Sequence, residues 1–268
     1  MPLTDAPAKA RLLYEARRTR QAIPPFTDAD PGLTMADGYA VQSELTRLIL
    51  ADGDAIVGYK VGLTSRPMQK MIGVDSPDFG PVFASTVYRD GDAIGLGGFI
   101  QPKIEAEIVF VLGERLEGPG VCVTDAARAV AGVAAAVEIV DSRFADWRIK
   151  LADTVSDLAS NGAVATSSRI VPLADVDPRL VGMTLTRNGH LVDTGAGAAA
   201  LGDPVAVVAW LANTLGERGI GMEPGHLVMT GALHAAVPMA AGDVWRADFD
   251  RLGPVTVRVV EGTPEEDR

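Results

Sequence analysis

The stretch 101–110, QPKIEAEIVF, constrains this chain more than any other. It sets Glu105 and Glu107 two residues apart in a run that is otherwise apolar and β-forming. Side chains along a strand alternate between its two faces. Glu105 and Glu107 therefore share one face, and Ile104, Ala106 and Ile108 take the other. Two like charges that close repel unless something neutralises them. The fold must either open that face to water, as a solvated edge strand does, or bring a counter-charge to it.

A third carboxylate, Glu138, lies in VEIVDSR between Val137 and Ile139, where an unpaired charge is expensive. Three acidic groups in apolar, β-rich company, with no Cys or His beside them, describe an all-oxygen donor set. Such a set suits Mg2+ or Mn2+ rather than Zn2+. The alternative is three separately satisfied glutamates on solvent-facing edges. Lys60, in GYKVGLTS, also sits among apolar neighbours. A buried lysine pairs with a carboxylate, binds an anionic substrate or works in acid–base chemistry with a lowered pKa. The alternative is a stem that snorkels to the surface. Asp78, in SPDFG, reads from its surroundings as a turn-capping residue.

The expected elements place these residues. Residues 4–20 read as a helix capped by Thr4 or Asp5, with Pro7 in its first turn and Leu12, Leu13 and Ala16 on its apolar stripe. A Pro-rich connection over 21–33 leads to a second helix over 34–50, stopped by Gly53. From Ala55 the texture changes to short Val, Ile and Gly-rich runs. Strands are expected at 55–63, 100–113 and 137–143, and a loop at 71–85. Helices are expected at 124–134, capped by Thr124, and at 203–219, with Asp203 capping Pro204. Asn-Gly at 188–189 between alternating runs marks a hairpin over 183–195. Residues 146–162 are mixed, and the chain closes on strands after 226. The sum is a β-rich α+β fold, a sheet rolled around a pocket.

Composition narrows the partners. A net charge of −11 argues against nucleic acid or an anionic membrane, though not against a small anionic substrate at a locally positive site. The single cysteine, Cys122, allows no internal disulfide and reads as a small buried hydrophobe. No apolar run of about 18 residues is evident and the start lacks a signal-type apolar segment, which points to a soluble, cytoplasmic protein. GAGAAALG at 195–202 follows a hairpin, so it lacks the strand–turn–helix context of a dinucleotide loop. His190, His226 and His234 share no ligand spacing; His190 and His226 read as surface residues, and His234 as a residue that could line a pocket.

With these motifs the chain resembles the 2-keto-4-pentenoate (2-hydroxypenta-2,4-dienoate) hydratases of the fumarylacetoacetate hydrolase superfamily. The likeness runs from about Thr34 to Val259. It rests on GYKVGLTS (58–65), GVDSPDFG (73–80), QPKIEAEIVFVLG (101–113), VEIVDSRFADW (137–147), GAGAAALGDPVAVVAWLANTLG (195–216) and TGALHAAVPMAAGD (230–243). The resemblance implies a mixed β-roll with an N-terminal helical cap, the cap over 1–54 and the catalytic part over 55–268. It implies that Glu105, Glu107 and Glu138 hold Mg2+ or Mn2+, that Lys60 and Asp78 are catalytic, and that Leu63 and Ser160 lie at the substrate. It implies a short 2-oxo or 2-hydroxydienoic acid from aromatic-ring meta-cleavage as substrate, water addition as the reaction, and a homo-oligomer. A pathway aldolase or decarboxylase is the implied partner. The chain departs from the family's D-N-A-S stretch at Leu158, where an Asn is usual, while Ser160 matches. Two rival readings stand beside this one. In 4-oxalocrotonate decarboxylase the same site logic ends in CO2 loss, and Arg66, Arg143 or Arg148 could receive the second carboxylate. The other rival is a non-catalytic partner subunit.

Overall fold

The computed structural model describes residues 5–66, 69–70 and 74–262. It opens with helix α1 (Ala6–Thr19), the single turn α2 (Phe26–Ala29) and helix α3 (Met35–Ala51). At the head of α3 the Thr34 hydroxyl accepts from the Asp37 N–H while the Asp37 carboxylate accepts from the Thr34 N–H, a reciprocal cap. At the head of α1, Asp5 is the N-cap residue but makes no side-chain capping bond, and Thr4 lies outside the described residues. Leu12, expected on the apolar stripe, is exposed. Leu13, Phe26, Leu45, Phe83, Phe144 and Leu158 close into one buried cluster. Gln42 ties α3 inward by donating to the Phe79 and Val155 carbonyls.

The strands follow in order: β1 (Ile56–Gly62), β2 (Asp78–Phe83), β3 (Val87–Arg89), β4 (Ala93–Gly95) and β5 (Lys103–Leu112). Helix α4 (Val123–Ala129) runs directly into β6 (Val130–Val140); helix α5 (Leu151–Ser156) precedes β7 (Asn161–Thr166). The hairpin β8 (Gly182–Arg187) and β9 (His190–Ala196) turns at Asn188-Gly189, as the sequence predicts. Helix α6 (Pro204–Gly216), capped by Asp203, leads to β10 (Leu227–Met229), β11 (Val237–Pro238), β12 (Val244–Phe249) and β13 (Gly253–Val260). One mixed sheet runs β2-β1-β10-β5-β6-β7-β3, with β11 also on β5; a second runs β4-β13-β12-β8-β9. The architecture is α+β.

Several expectations need correction. Residues 78–83 are a strand, not part of a loop, while 71–73 lie outside the described residues. All six residues of β2 are buried, so the strand shows no alternation, and its Pro81 is tolerated because β2 is a sheet edge. The helix expected over 124–134 ends at Ala129; the Ala-rich run after it is recruited into β6 by pairing on both sides. Cys122, not Thr124, is the N-cap residue of α4, and Cys122 is exposed. Finally, Gly197–Gly216 does reach the length and mean hydropathy of a membrane span. Its regular helix is only the 13 residues of α6, about 20 Å long against a hydrocarbon core of about 30 Å. Val207, Val208, Leu211 and Leu215 of α6 are buried in the main core, which accounts for the hydropathy.

Sheet parity positions the site. On β5, Ile104, Ala106, Ile108 and Phe110 join the large core. The opposite face carries Glu105, Glu107 and Val109, next to a small cluster of Val82, Val109, Ala134, Ala136, Val164 and Met229. Lys60 pairs with Met229, and Met229 with Val109, so Lys60 lies on that same face two strands away.

Candidate metal centre and active site

Cross-strand register brings the glutamates together. Glu105 of β5 stands directly opposite Glu138 of β6, and Glu107 is the next residue on that face. Their side chains offer three carboxylate oxygens that all lie within 4.8 Å of one another. Like charges opposite each other in a sheet destabilise it. Here the cost is sharpened by burial, since Glu107 is 1% and Glu138 0% exposed, while Glu105 is half-buried. The neutral forms are favoured accordingly. Burial, then Glu138, pushes the Glu105 carboxyl up to about 7, and burial with Glu138 and Glu105 pushes Glu107 well above the usual carboxylate range.

Protein donors reach only some of these oxygens. The Asn161 amide donates to Glu138 Oε1 at 3.0 Å, and the Gly231 N–H donates to Glu107 Oε2 at 2.9 Å. Glu107 Oε1, Glu138 Oε2 and Asp78 Oδ1 are buried with no hydrogen-bond partner among the described residues. Buried acceptors without a donor are rare and costly. Two of the three belong to the glutamate cluster, whose donor set is all carboxylate oxygen. That set fits a hard divalent cation, which would meet the unpartnered lone pairs and offset the repulsion.

Lys60 is the cation the protein itself supplies. It is buried; its Nζ lies 3.4 Å from Glu138 Oε1 and donates to the Ala159 carbonyl at 2.8 Å. Burial alone would lower its pKa, but Glu138, Asp78, Glu105 and Glu107 outweigh it and hold the ammonium above its ordinary value. The lowered-pKa alternative for Lys60 is thus not what this arrangement gives. Asp78 is not in a turn: it opens β2, fully buried, opposite Gly62 and diagonal to Lys60. Burial raises its carboxyl against the opposing pull of Lys60. A Cβ on Gly62 would sit 2.2 Å from Asp78 Oδ1 and 3.4 Å from Lys60 Nζ, so the missing side chain is what lets the two groups converge.

Leu63 follows directly, in the left-handed conformation, and its carbonyl accepts from Gln69 Nε2 at 2.7 Å. Leu158, Ala159 and Ser160 are three consecutive left-handed residues, an arrangement that costs energy at each position. Something must hold them. The Leu158 side chain anchors in the cluster beneath α1 and α3, the Ala159 carbonyl accepts a hydrogen bond from the Lys60 ammonium, and the Ser160 and Thr154 hydroxyls lie 3.0 Å apart. A Cβ on Gly80 would collide with the Leu158 carbonyl, so β2 is bare where the turn crosses it. Buried Arg143 fastens the base of the turn: its guanidinium donates to the Asp157 side chain and carbonyl and to the Asn161 carbonyl.

Sequence reading missed Asn161 and Gly231. A β-bulge between β6 and β7 puts Asn161 rather than Gly162 opposite Val140, and hence on the face of Glu138. Gly231 contributes only a backbone N–H, which no side-chain pattern announces. His234 packs with its ring buried behind β5; Nε2 accepts from the Ala106 N–H at 2.7 Å, and Nδ1 lies 2.7 Å from the Ala235 carbonyl. Arg143 and Arg148, weighed as receivers of a second substrate carboxylate, are engaged by Asp157 and by Asp28 respectively. Arg66 is exposed.

Residues 54–260 match the model of the fumarylacetoacetate (FAA) hydrolase C-terminal family. The chain is 41% identical over 251 residues to 2-hydroxyhexa-2,4-dienoate hydratase of Comamonas testosteroni, covering 93% of this chain and 95% of that one. It is 42% identical over 246 residues to 2-keto-4-pentenoate hydratase of Paraburkholderia xenovorans (strain LB400), covering 92% and 91%. Among solved structures it superposes on 4-oxalocrotonate decarboxylase from Pseudomonas putida G7, complexed with magnesium and adipate. That match has a TM-score of 0.93 at 37% identity and covers 97% of this chain and 99% of that one.

Proposed function

The chain belongs to the fumarylacetoacetate hydrolase family, and from that premise we propose that it is a metal-dependent hydro-lyase of the 2-keto-4-pentenoate hydratase type. It adds water to a short 2-hydroxy-2,4-dienoate to give a 4-hydroxy-2-oxo acid, a step of aromatic meta-cleavage. The observation that carries the reading is the buried Glu105, Glu107 and Glu138 cluster beside Lys60, in a chain 41–42% identical to hydratases across nearly its whole length.

Glu105, Glu107 and Glu138 would hold the divalent cation, Mg2+ or Mn2+, and the cation would supply Lewis acidity to the 2-oxo acid chemistry. Lys60, kept charged by four acids, attracts the anionic substrate and stabilises negative charge at its 2-oxygen. Asp78 has one buried oxygen without a partner, beside Lys60, and burial raises its carboxyl above the ordinary range, which suits it to exchange a proton with the dienol or with water. The left-handed turn 158–160 presents the Ser160 hydroxyl, and Leu63 flanks the strand end that bears Lys60. The apolar floor of Ala134, Ala136 and Val164 keeps water out except where the site opens at Glu105. The helices of residues 1–54 act as a cap, anchoring Leu158. The enzyme works as a cytoplasmic homo-oligomer, and an aldolase that cleaves 4-hydroxy-2-oxo acids is the natural consumer of its product.

Decarboxylation of 4-oxalocrotonate is the second reading, favoured by the TM-score of 0.93. A dicarboxylate needs a second cationic receiver, and Arg143 and Arg148 are both engaged. Incubating the protein with 2-hydroxypentadienoate and with 4-oxalocrotonate, with and without Mg2+, separates the two. Water addition to the first substrate, lost on chelation, supports the hydratase. CO2 release from the second with no turnover of the first overturns it.

A further inference from the structure

The last turn of α1 and the end of α3 frame a cleft of about 540 Å3, lined in part by Tyr14, Arg17, Arg18 and Arg20. Three arginines on one cleft are unexpected in a chain of net charge −11. Basic residues near a helix C-terminus complement its dipole, which explains exposed Arg18, stacked over the Tyr14 ring at 5.5 Å. It does not explain Arg17, which is half-buried and, among the described residues, forms no hydrogen bond or ion pair.

The acceptors around Arg17 are already engaged. Asp52 accepts from the Tyr14 hydroxyl. Asp54 accepts from the Ser85 hydroxyl and from the Ser85 and Ala55 N–H groups. Deeper in, Asp157 is held by Arg143, and Asp141 by the Ile100 and Gln101 N–H groups. Arg17 therefore pairs with none of these acids; burial, then Arg143 and Arg20, push its pKa down to about 10 against the weaker opposing pull of Asp157 and Asp141. Asp52 and Asp54 also line the cleft, but neither pairs with Arg17, whose guanidinium keeps its donors free. A guanidinium fork held this way matches the two oxygens of a carboxylate or phosphate group.

We propose that this cleft is a binding site for a small multivalent oxyanion, a phosphate or a dicarboxylate, received by Arg17 and Arg20 and separate from the glutamate cluster. The inference does not rest on the catalytic reading. An anion seated there relieves the repulsion among Arg17, Arg20 and Arg143, and so stabilises the segment that Arg143 fastens.

The test uses chelator-treated full-length protein, so that no anion is drawn to a metal. Inorganic phosphate and succinate are titrated separately by calorimetry at constant ionic strength, which also distinguishes the two oxyanion classes. The expected result is saturable binding of at least one of them at one site per chain, weakened at least tenfold by Arg17→Gln and by Arg20→Gln. Arg258→Gln, which removes an exposed arginine elsewhere, is expected to leave it unchanged. Phenylglyoxal labelling read by mass spectrometry provides a measurement on the unaltered protein: the bound anion should slow modification of Arg17 and Arg20 selectively. Three outcomes each overturn the proposal. They are non-saturable binding, equal weakening by Arg258→Gln, and arginines that resist phenylglyoxal without any anion because another copy of the chain covers them.

Discussion

Replacing Glu107 by Gln separates what the glutamate cluster costs from what it does. The substitution keeps the shape, and the amide oxygen can still accept from the Gly231 N–H. The new amide N–H2 enters a cluster in which Glu138 Oε2 has no donor. In wild-type protein without metal, Glu107 holds its proton well above the ordinary glutamate value of 4.5. A carboxyl whose pKa is raised on folding contributes most stability at low pH and loses it as pH rises through the shifted range. The penalty relative to the unfolded chain grows as pH rises above the ordinary glutamate range and is small at pH 5. Glu107→Gln should therefore raise the stability of the metal-free protein at pH 7.5, by about 5 °C in Tm, and do little at pH 5. The same variant should lose at least about 100-fold in Mg2+ affinity, more than a supporting residue alone confers. Thermal unfolding with chelator at the two pH values, followed by Mg2+ titration, checks both. A variant less stable than wild type at pH 7.5, or one with unchanged Mg2+ affinity, would refute the reasoning.

Other expectations follow from the same geometry. Gly62→Ala drives a methyl into Asp78 Oδ1; activity should fall at least about tenfold while circular dichroism stays native, and full activity would show that the approach of Asp78 to Lys60 is unimportant. Asp157→Ala leaves the buried Arg143 guanidinium without its carboxylate; urea unfolding should report a loss of about 3–5 kcal/mol, and a loss under about 1 kcal/mol would mean Arg143 does not fasten the turn. Metal uptake must displace protons, because Glu105 is raised to about 7 and Glu107 is raised well above the usual carboxylate range. Calorimetry at pH 6.5 in buffers of different ionisation enthalpy should show net proton release that shrinks by pH 8.5, and pH-independent, proton-neutral binding would contradict it.

The parts of the site that were legible in the sequence are those set by local periodicity. Period two put Glu105 and Glu107 on one face, and the apolar company of Glu138 and Lys60 marked all of them as costly to leave unpaired. The Asn188-Gly189 turn and the Asp203-Pro204 helix start were equally local, and both stand in the structure. What local pattern could not supply was register. Glu138 opposes Glu105 only because β5 and β6 pair as they do, and Asn161 reaches Glu138 only because of a one-residue bulge. Asp78 was misread because an edge strand containing proline looks like a turn when its pairing is unknown. Val130–Val140 was misread in part because alanine favours helix until neighbours on both sides claim it for a sheet. The pKa direction at Lys60 was open for the same reason: burial and the four acids pull opposite ways, and only their distances decide.

The most direct test of the central claim is a Mn2+ titration of the chelator-stripped protein, followed by electron paramagnetic resonance and calorimetry, on wild type and Glu138→Gln. The account predicts one Mn2+ per chain in the wild type, weakened at least about 100-fold in the variant, with hydratase activity returning in proportion to occupancy. Activity that persists with no metal bound, or Mn2+ binding indifferent to Glu138, would contradict it.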